Sequence, residues 1–409
     1  MKNVILCAAA LLFAGVTFAQ NNSNSSQTGD DQRVFVRQAG VRLSSDITQG
    51  NGSGYGSHRA MVMQRGTDNS SAIDQEGSNN QAYVEQAQFT PPTNATAIIN
   101  QGKNNTASAD NKAVVNQHGG TGSIATLNQD GDENEARTHQ DGTNGVVNIT
   151  QDGNENKSLV LQSLLNYGGL GNVANILQTG EENCSTASQD GDYNALSATQ
   201  SGDSNKASQY QLGDDNVANL NQSGTNGKAI QNQVGNNNTN DLVFQTGNNN
   251  YSEDNQNGDS NVIFKGQQGS GNYGRIDQTG DNNYNSFGQY GTNSKGYSRQ
   301  IGDSNYMILG QFAGDGNLAA SYQDDNNDGI IQQTGDDNQA LLVQKSQGGL
   351  GHTGGIYQVG NGNMADVLQL GPGGDFTADA ESCFFPDPVQ VTCPPDLTEV
   401  VIGAPCQGC

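Results

Sequence analysis

Read in lines of eleven, the chain from residue 178 runs QTGEENCSTAS (178–188), QDGDYNALSAT (189–199), QSGDSNKASQY (200–210), QLGDDNVANLN (211–221), QSGTNGKAIQN (222–232) and QVGNNN (233–238). Glutamine opens every line: Gln178, Gln189, Gln200, Gln211, Gln222 and Gln233. A glycine stands two residues later (Gly180, Gly191, Gly202, Gly213, Gly224, Gly235), and mostly an asparagine three beyond that (Asn183, Asn194, Asn205, Asn216, Asn238). The unit is Q-x-G-x-x-N-x-A-x-x-x-Q, and a fixed short period of this kind is the mark of a stacked repeat architecture. Outward from this block the same glutamine recurs at Gln64, Gln75 and Gln86, and at Gln129, Gln140, Gln151 and Gln162. Beyond it lie Gln245, Gln256, Gln267, Gln278, Gln289, Gln300 and Gln311, then Gln333, Gln344, Gln358 and Gln369.

Residues two apart lie on one face of a strand, and stepping back by twos from each glutamine gives one consistent face. It reads Asn80, Ala82, Val84, Gln86 in one unit, Asn216, Ala218, Leu220, Gln222 in another, and likewise Asn338 to Gln344 and Asn363 to Gln369. The pattern is amide, small, apolar, amide. Between a glutamine and the next asparagine, glycines such as Gly77, Gly302 and Gly335 supply a positive φ, and the Asp or Asn that follows suits a tight turn. Each unit is therefore one short strand and one turn. One such strand buries almost nothing, so the units must stack. Two units make a strand-turn-strand rung of 22 residues with inward faces opposed. Stacked rungs set Gln over Gln and Asn over Asn (for example Gln75 and Asn80, or Asn305 and Gln311), and a buried amide is tolerated only when hydrogen-bonded. The fold class is all-β: a β-solenoid with a cross-β repeat.

Composition agrees. Of 409 residues only 32% are hydrophobic, with no Trp, so an oily core of ordinary proportions is excluded. The net charge of −25 would suggest disorder, but only 14% of residues are charged and the polar excess is neutral amide, Gly and Ser. An acidic chain repels nucleic acid and anionic headgroups. None of the eight prolines falls between residues 93 and 371, as expected where every strand N–H must be donated. Residues 1–19 read as a secretory signal, with Lys2, an apolar run and Thr17-Phe18-Ala19 before Gln20. It is too short for a transmembrane span, and no later segment is long enough. The expected organisation is signal peptide 1–19, flexible segment 20–33, repeat solenoid 34–371 and a Cys/Pro-rich tail 372–409. Cys383, Cys393, Cys406 and Cys409 cluster in that tail; in an oxidising compartment they invite disulfides, with three pairings open, while Cys184 stands inside the repeats.

The unit resembles the curlin repeat of curli fibre subunits, S-x5-Q-x-G-x2-N-x-A-x3-Q. Ser294, Gln300, Gly302 and Asn305 follow its opening, with Met307 where Ala is usual; Gln211, Gly213, Asn216, Ala218 and Gln222 fit its second half, as do Gln75, Gly77, Asn80, Ala82 and Gln86. The resemblance implies a secreted, extracellular homopolymer: a functional amyloid fibre exported and nucleated by dedicated partners, serving cell adhesion and biofilm matrix, with host or matrix surfaces as contacts. Many more repeats than usual, and the Cys/Pro tail, set this chain apart. The alternative is a monomeric β-solenoid adhesin or ligand-binding protein.

Other signals carry less. The runs GTGSIA (120–125), GLGNVA (169–174) and GLGHTG (349–354) imitate dinucleotide loops but open no helix. DDNNDG (324–329) begins like a calcium loop, yet its twelfth position is Gly335 rather than Glu. His58, His118, His139 and His352 are scattered, so no metal site, cofactor or catalytic set is expected. Asp132, Asp192, Asp203, Asp214, Asp259, Asp281, Asp303 and Asp336 follow turn glycines, where they keep the chain soluble and leave weak calcium binding open. Tyr193, Tyr210, Tyr273, Tyr284, Tyr290 and Phe312 are outward strand aromatics with a potential for adhesive contact.

Overall fold

The computed structural model describes residues 20–50, 56–86, 92–102, 108–163, 169–346, 350–371 and 388–395. The leader 1–19 and Cys383, Cys406 and Cys409 lie outside them. Every element among the described residues is a β-strand, and apart from the two-residue strand Gly169–Leu170, which pairs with Glu135–Thr143, successive strands alternate between two parallel sheets of fifteen and sixteen strands. Strand Ala195–Asp203 pairs in parallel with Val173–Glu181 on one side and Val217–Thr225 on the other, while Cys184–Asp190 and Lys206–Leu212 pair in the facing sheet. One rung is thus two strands and two corners. Fifteen rungs at about 4.8 Å give a stack of roughly 70 Å.

The register keeps like over like: Gln178, Gln200 and Gln222 align in one sheet, and Gln189, Gln211 and Gln233 in the other. Where the spacing departs from 22, the extra residues fall between a ladder glutamine and the next strand, or are absorbed locally. Strand Thr239–Asn248 takes its extra residue as a bulge between Leu242 and Phe244. The solenoid also starts earlier than the sequence suggests. Asn22–Gln27, expected to be flexible, is a strand paired with Ser44–Gln49. Its Ser and Asn residues lack the apolar position that marks later units, which is why it reads as linker.

Between the sheets the small and apolar positions form two clusters, one from Ile47 to Leu242 and one from Ile263 to Ile356. The nine turn glycines named above all adopt positive φ, from 85° at Gly302 to 126° at Gly224. At Gly213 a Cβ would stand 2.1 Å from the Gly235 carbonyl oxygen, so the glycine column is needed for close stacking as well as for conformation. A second corner position, just before the asparagine, is left-handed without being glycine: Glu182, Tyr193, Ser204 and Asp215 have φ of 54–56°. Its residue types are too varied to signal this.

Gly213→Ala is expected to destabilise the stack by about 1–3 kcal/mol, from backbone strain and the carbonyl contact. Denaturant unfolding against Thr199→Ala, on an outward strand position, is the check.

Candidate functional site

The inner surface of the corners carries two continuous glutamine ladders. In one, each Nε2 donates to the Oε1 one rung further on, through Gln27, Gln49, Gln75, Gln101, Gln129, Gln151, Gln178, Gln200, Gln222, Gln245, Gln267, Gln289, Gln311, Gln333 and Gln358, at 2.7–3.0 Å. The other runs Gln38, Gln64, Gln86, Gln117, Gln140, Gln162, Gln189, Gln211, Gln233, Gln256, Gln278, Gln300, Gln323, Gln344 and Gln369, at 2.8–3.0 Å. Every bond points the same way along the axis. The remaining Nε2 hydrogen crosses to the facing sheet, as from Gln200 to the Cys184 carbonyl (3.0 Å) and from Gln211 to the Ala195 carbonyl (3.1 Å). Each ladder therefore ties rung to rung and sheet to sheet.

Gln27, Gln38, Gln49, Gln117 and Gln323 escape the sequence reading. Gln117 lies 31 residues after its partner Gln86, and no Q-x-G follows Gln323.

The asparagines also meet amide on amide from rung to rung, and they add bonds to the backbone. Asn183 Oδ1 accepts from both the backbone N–H and the Nδ2 of Asn205, and Asn183 Nδ2 donates to the Gly202 carbonyl. Asn194 and Asn216 repeat this on the opposite corner; so do Asn80 with Asn111, Asn283 with Asn305, and Asn338 with Asn363. They staple the turn backbone. Outside them the acidic turn residues do similar work: Asp192 N–H donates to Asp214 Oδ1, and Asp259 to Asp281 to Asp303 follow, at 2.7–2.8 Å. Asp203 accepts from Glu181 N–H and Asp336 from Asp315 N–H. The calcium-like run at 324–329 is one more such corner, with Asp325 Oδ1 accepting from Asp303 N–H.

Between the two apolar clusters lies a buried ion pair. Lys265 Nζ sits 2.7 Å from Asp254 Oδ1, donates to the Gly274 carbonyl and lies 5.1 Å from the Phe287 ring centre; neither charged side chain is exposed. Burial pushes the Asp254 carboxyl up and the Lys265 ammonium down, each opposed by attraction to the other. Stepping back by twos from Gln256 and Gln267 puts both residues on the inward face, so the signal was present.

The outer faces bear stacked aromatics and the tail. Tyr284 stacks on Tyr306 (4.8 Å between ring centres), Tyr290 on Phe312 (5.6 Å) and Tyr273 on Tyr251 (5.1 Å), while Tyr193 is exposed. The stacked Tyr273 hydroxyl is pushed up to about 12, chiefly by burial. Residues 388–395 run along one flank. Val389 N–H donates to Tyr251 Oη, Cys393 is disulfide-bonded to Cys184, and Pro394 and Pro395 rest beside Arg137 and Lys157. The three pairings within the tail are thus corrected for Cys393, whose partner is the cysteine 209 residues earlier that the outward face of the repeats presents. The histidines are not all scattered as their spacing suggests: His118 and His139 have ring centres 4.9 Å apart.

These features define a parallel two-sheet β-solenoid held by amide ladders, a self-stacking repeat protein. Residues 59–87 match the family model described as Curlin associated repeat, so the chain carries the curlin repeat. None of the curated proteins compared with it matches.

Gln200→Leu removes the donor to Gln222 and the acceptor of Gln178; a loss of about 1–3 kcal/mol is expected, read by denaturant unfolding against Thr199→Ser. For the ion pair, Lys265→Met strands a buried carboxyl and should cost about 3–5 kcal/mol. The double variant Asp254→Leu/Lys265→Met should recover most of it, measured as a double-mutant cycle.

Proposed function

We propose that this protein is an exported structural subunit that polymerises into curli-like amyloid fibres, with roles in cell adhesion and biofilm matrix. The observation that carries the reading is that both glutamine ladders run unbroken to the terminal rungs. Among the described residues no element lies across either end: Asn22–Gln27 is exposed along its length, and Tyr357, Val359 and Met364 are exposed on the last rung. Natural monomers cap or charge such edges. An uncovered edge with aligned amide donors facing acceptors favours head-to-tail addition of a second copy. The described part of the tail supports this, since it lies on a flank rather than over an end. The activity is polymerisation rather than catalysis. The curlin repeat adds extracellular localisation and dedicated export and nucleation partners to the proposal.

A monomeric surface adhesin is the second reading, favoured by the exposed stacked aromatics Tyr290 and Phe312. Purified mature protein incubated with and without preformed seed separates the two. Polymerisation predicts seed-accelerated thioflavin signal and a cross-β reflection near about 4.8 Å. A concentration-independent monomer with neither would overturn it.

A further inference from the structure

The strands Lys112–His118 and Glu135–Thr143 are neighbours in one sheet, registered Gln117 to Gln140, Asn116 to His139 and His118 to Asp141. Because Gln117 and Gln140 point inward into the ladder, the residues beside them point outward. His118 and Asp141 are therefore side by side on adjacent rungs, and His139 shares a face with Asp141 two residues away. One donor atom from each of the three lies within 4.8 Å of the others. His139 Nε2 is 3.2 Å from Asp141 Oδ2, and His118 Nδ1 is 3.6 Å from Asp141 Oδ1. The side chains are only 12% and 18% exposed at the two histidines.

We propose that His118, His139 and Asp141 form a binding site for a divalent transition metal of the zinc type on the outer flank of the solenoid. Two ligands about 2.1 Å from a tetrahedral metal stand about 3.4 Å apart, close to both nitrogen–oxygen separations. The 3.6 Å separation is too long for a hydrogen bond. Three polar atoms here are buried without a hydrogen-bond partner: His118 Nε2, Asp141 Oδ1 and, next to His139 in register, Asn116 Oδ1. Of these, Asp141 Oδ1 is the oxygen that faces His118 Nδ1 and that a metal there would engage, and buried polar atoms are rarely orphaned. The Glu85 carboxylate, one rung earlier, adds negative charge felt at His118. Imidazole donors select zinc, copper or nickel over calcium or magnesium, which separates this site from the acidic corners.

The test uses the full mature chain and Zn²⁺ alone, in excess Ca²⁺ to saturate the carboxylate corners, with Co²⁺ substitution as a spectroscopic readout of ligand field. One Zn²⁺ per chain is expected, with affinity lowered about tenfold or more by His139→Ala and by the near-isosteric Asp141→Asn, and unchanged by His352→Ala. Circular dichroism checks that each variant keeps its β-structure; Asp141→Asn decides if His139→Ala does not. Zinc binding that Ca²⁺ displaces, that His139→Ala and Asp141→Asn leave intact, or that is absent from the wild type would overturn the site. None of these outcomes depends on whether the chain polymerises.

Discussion

A primary amide hydrogen-bonded to an identical amide one rung away is the interaction on which everything else here rests. Buried Gln is costly unless both its hydrogens and its oxygen are engaged. In this solenoid one hydrogen goes along the axis to the next Gln and the other crosses to the facing sheet. That arrangement holds only while glutamines recur in parallel register, so the side chain dictates the topology. A one-residue slip would turn the amides outward and the Ser, Thr and Asp positions inward. The glycine corner follows from the same constraint, because amides can meet only if successive turns approach to backbone contact.

The ladder also explains where irregularity is tolerated. Extra residues separate Gln49 from Gln75, Gln86 from Gln117 and Gln101 from Gln129, yet the amide bonds across them are 2.8, 2.8 and 2.9 Å. The additions fall after a glutamine and before the next strand, where the chain turns. Charge is placed with similar economy. Aspartates at the corners accept backbone N–H groups that would otherwise face solvent without a repeat partner, while their second oxygens keep a strongly acidic surface. Lys265 and Asp254 bring charge between the sheets, and they sit where the apolar core divides.

Fold, period and inward face were legible because each is written redundantly: dozens of units state the same spacing, and the period of two assigns a face to every residue. What escaped was written only once. Gln117 stands beyond an insertion, 31 residues after its ladder partner Gln86, and with it went the register that brings His118 to His139 and Asp141. Cys184 to Cys393 is a contact between a repeat and a tail, for which no spacing rule exists. The left-handed corner residues were hidden because a shared hydrogen-bond pattern, rather than residue type, imposes their conformation: Tyr193 N–H, for example, donates to the Leu170 carbonyl. Asn22–Gln27 was lost for a related reason: it keeps the terminal Gln but none of the apolar positions.

The uniform direction of the amide bonds gives the stack a polarity that a hydrophobic core would lack. Gln27 and Gln38 begin the ladders with their oxygens toward the N-terminal end of the stack, and Gln358 and Gln369 finish them with their amide nitrogens toward the other. Two copies meeting head to tail continue the donor-to-acceptor sense. Two copies meeting head to head would set oxygen against oxygen, and tail to tail would set N–H against N–H. Backbone edges of parallel strands have the same directional sense, so side chain and main chain favour one mode of contact. The polar core that makes this chain look disordered by composition therefore also gives its two ends complementary amide groups, which is what the proposed head-to-tail polymerisation would use.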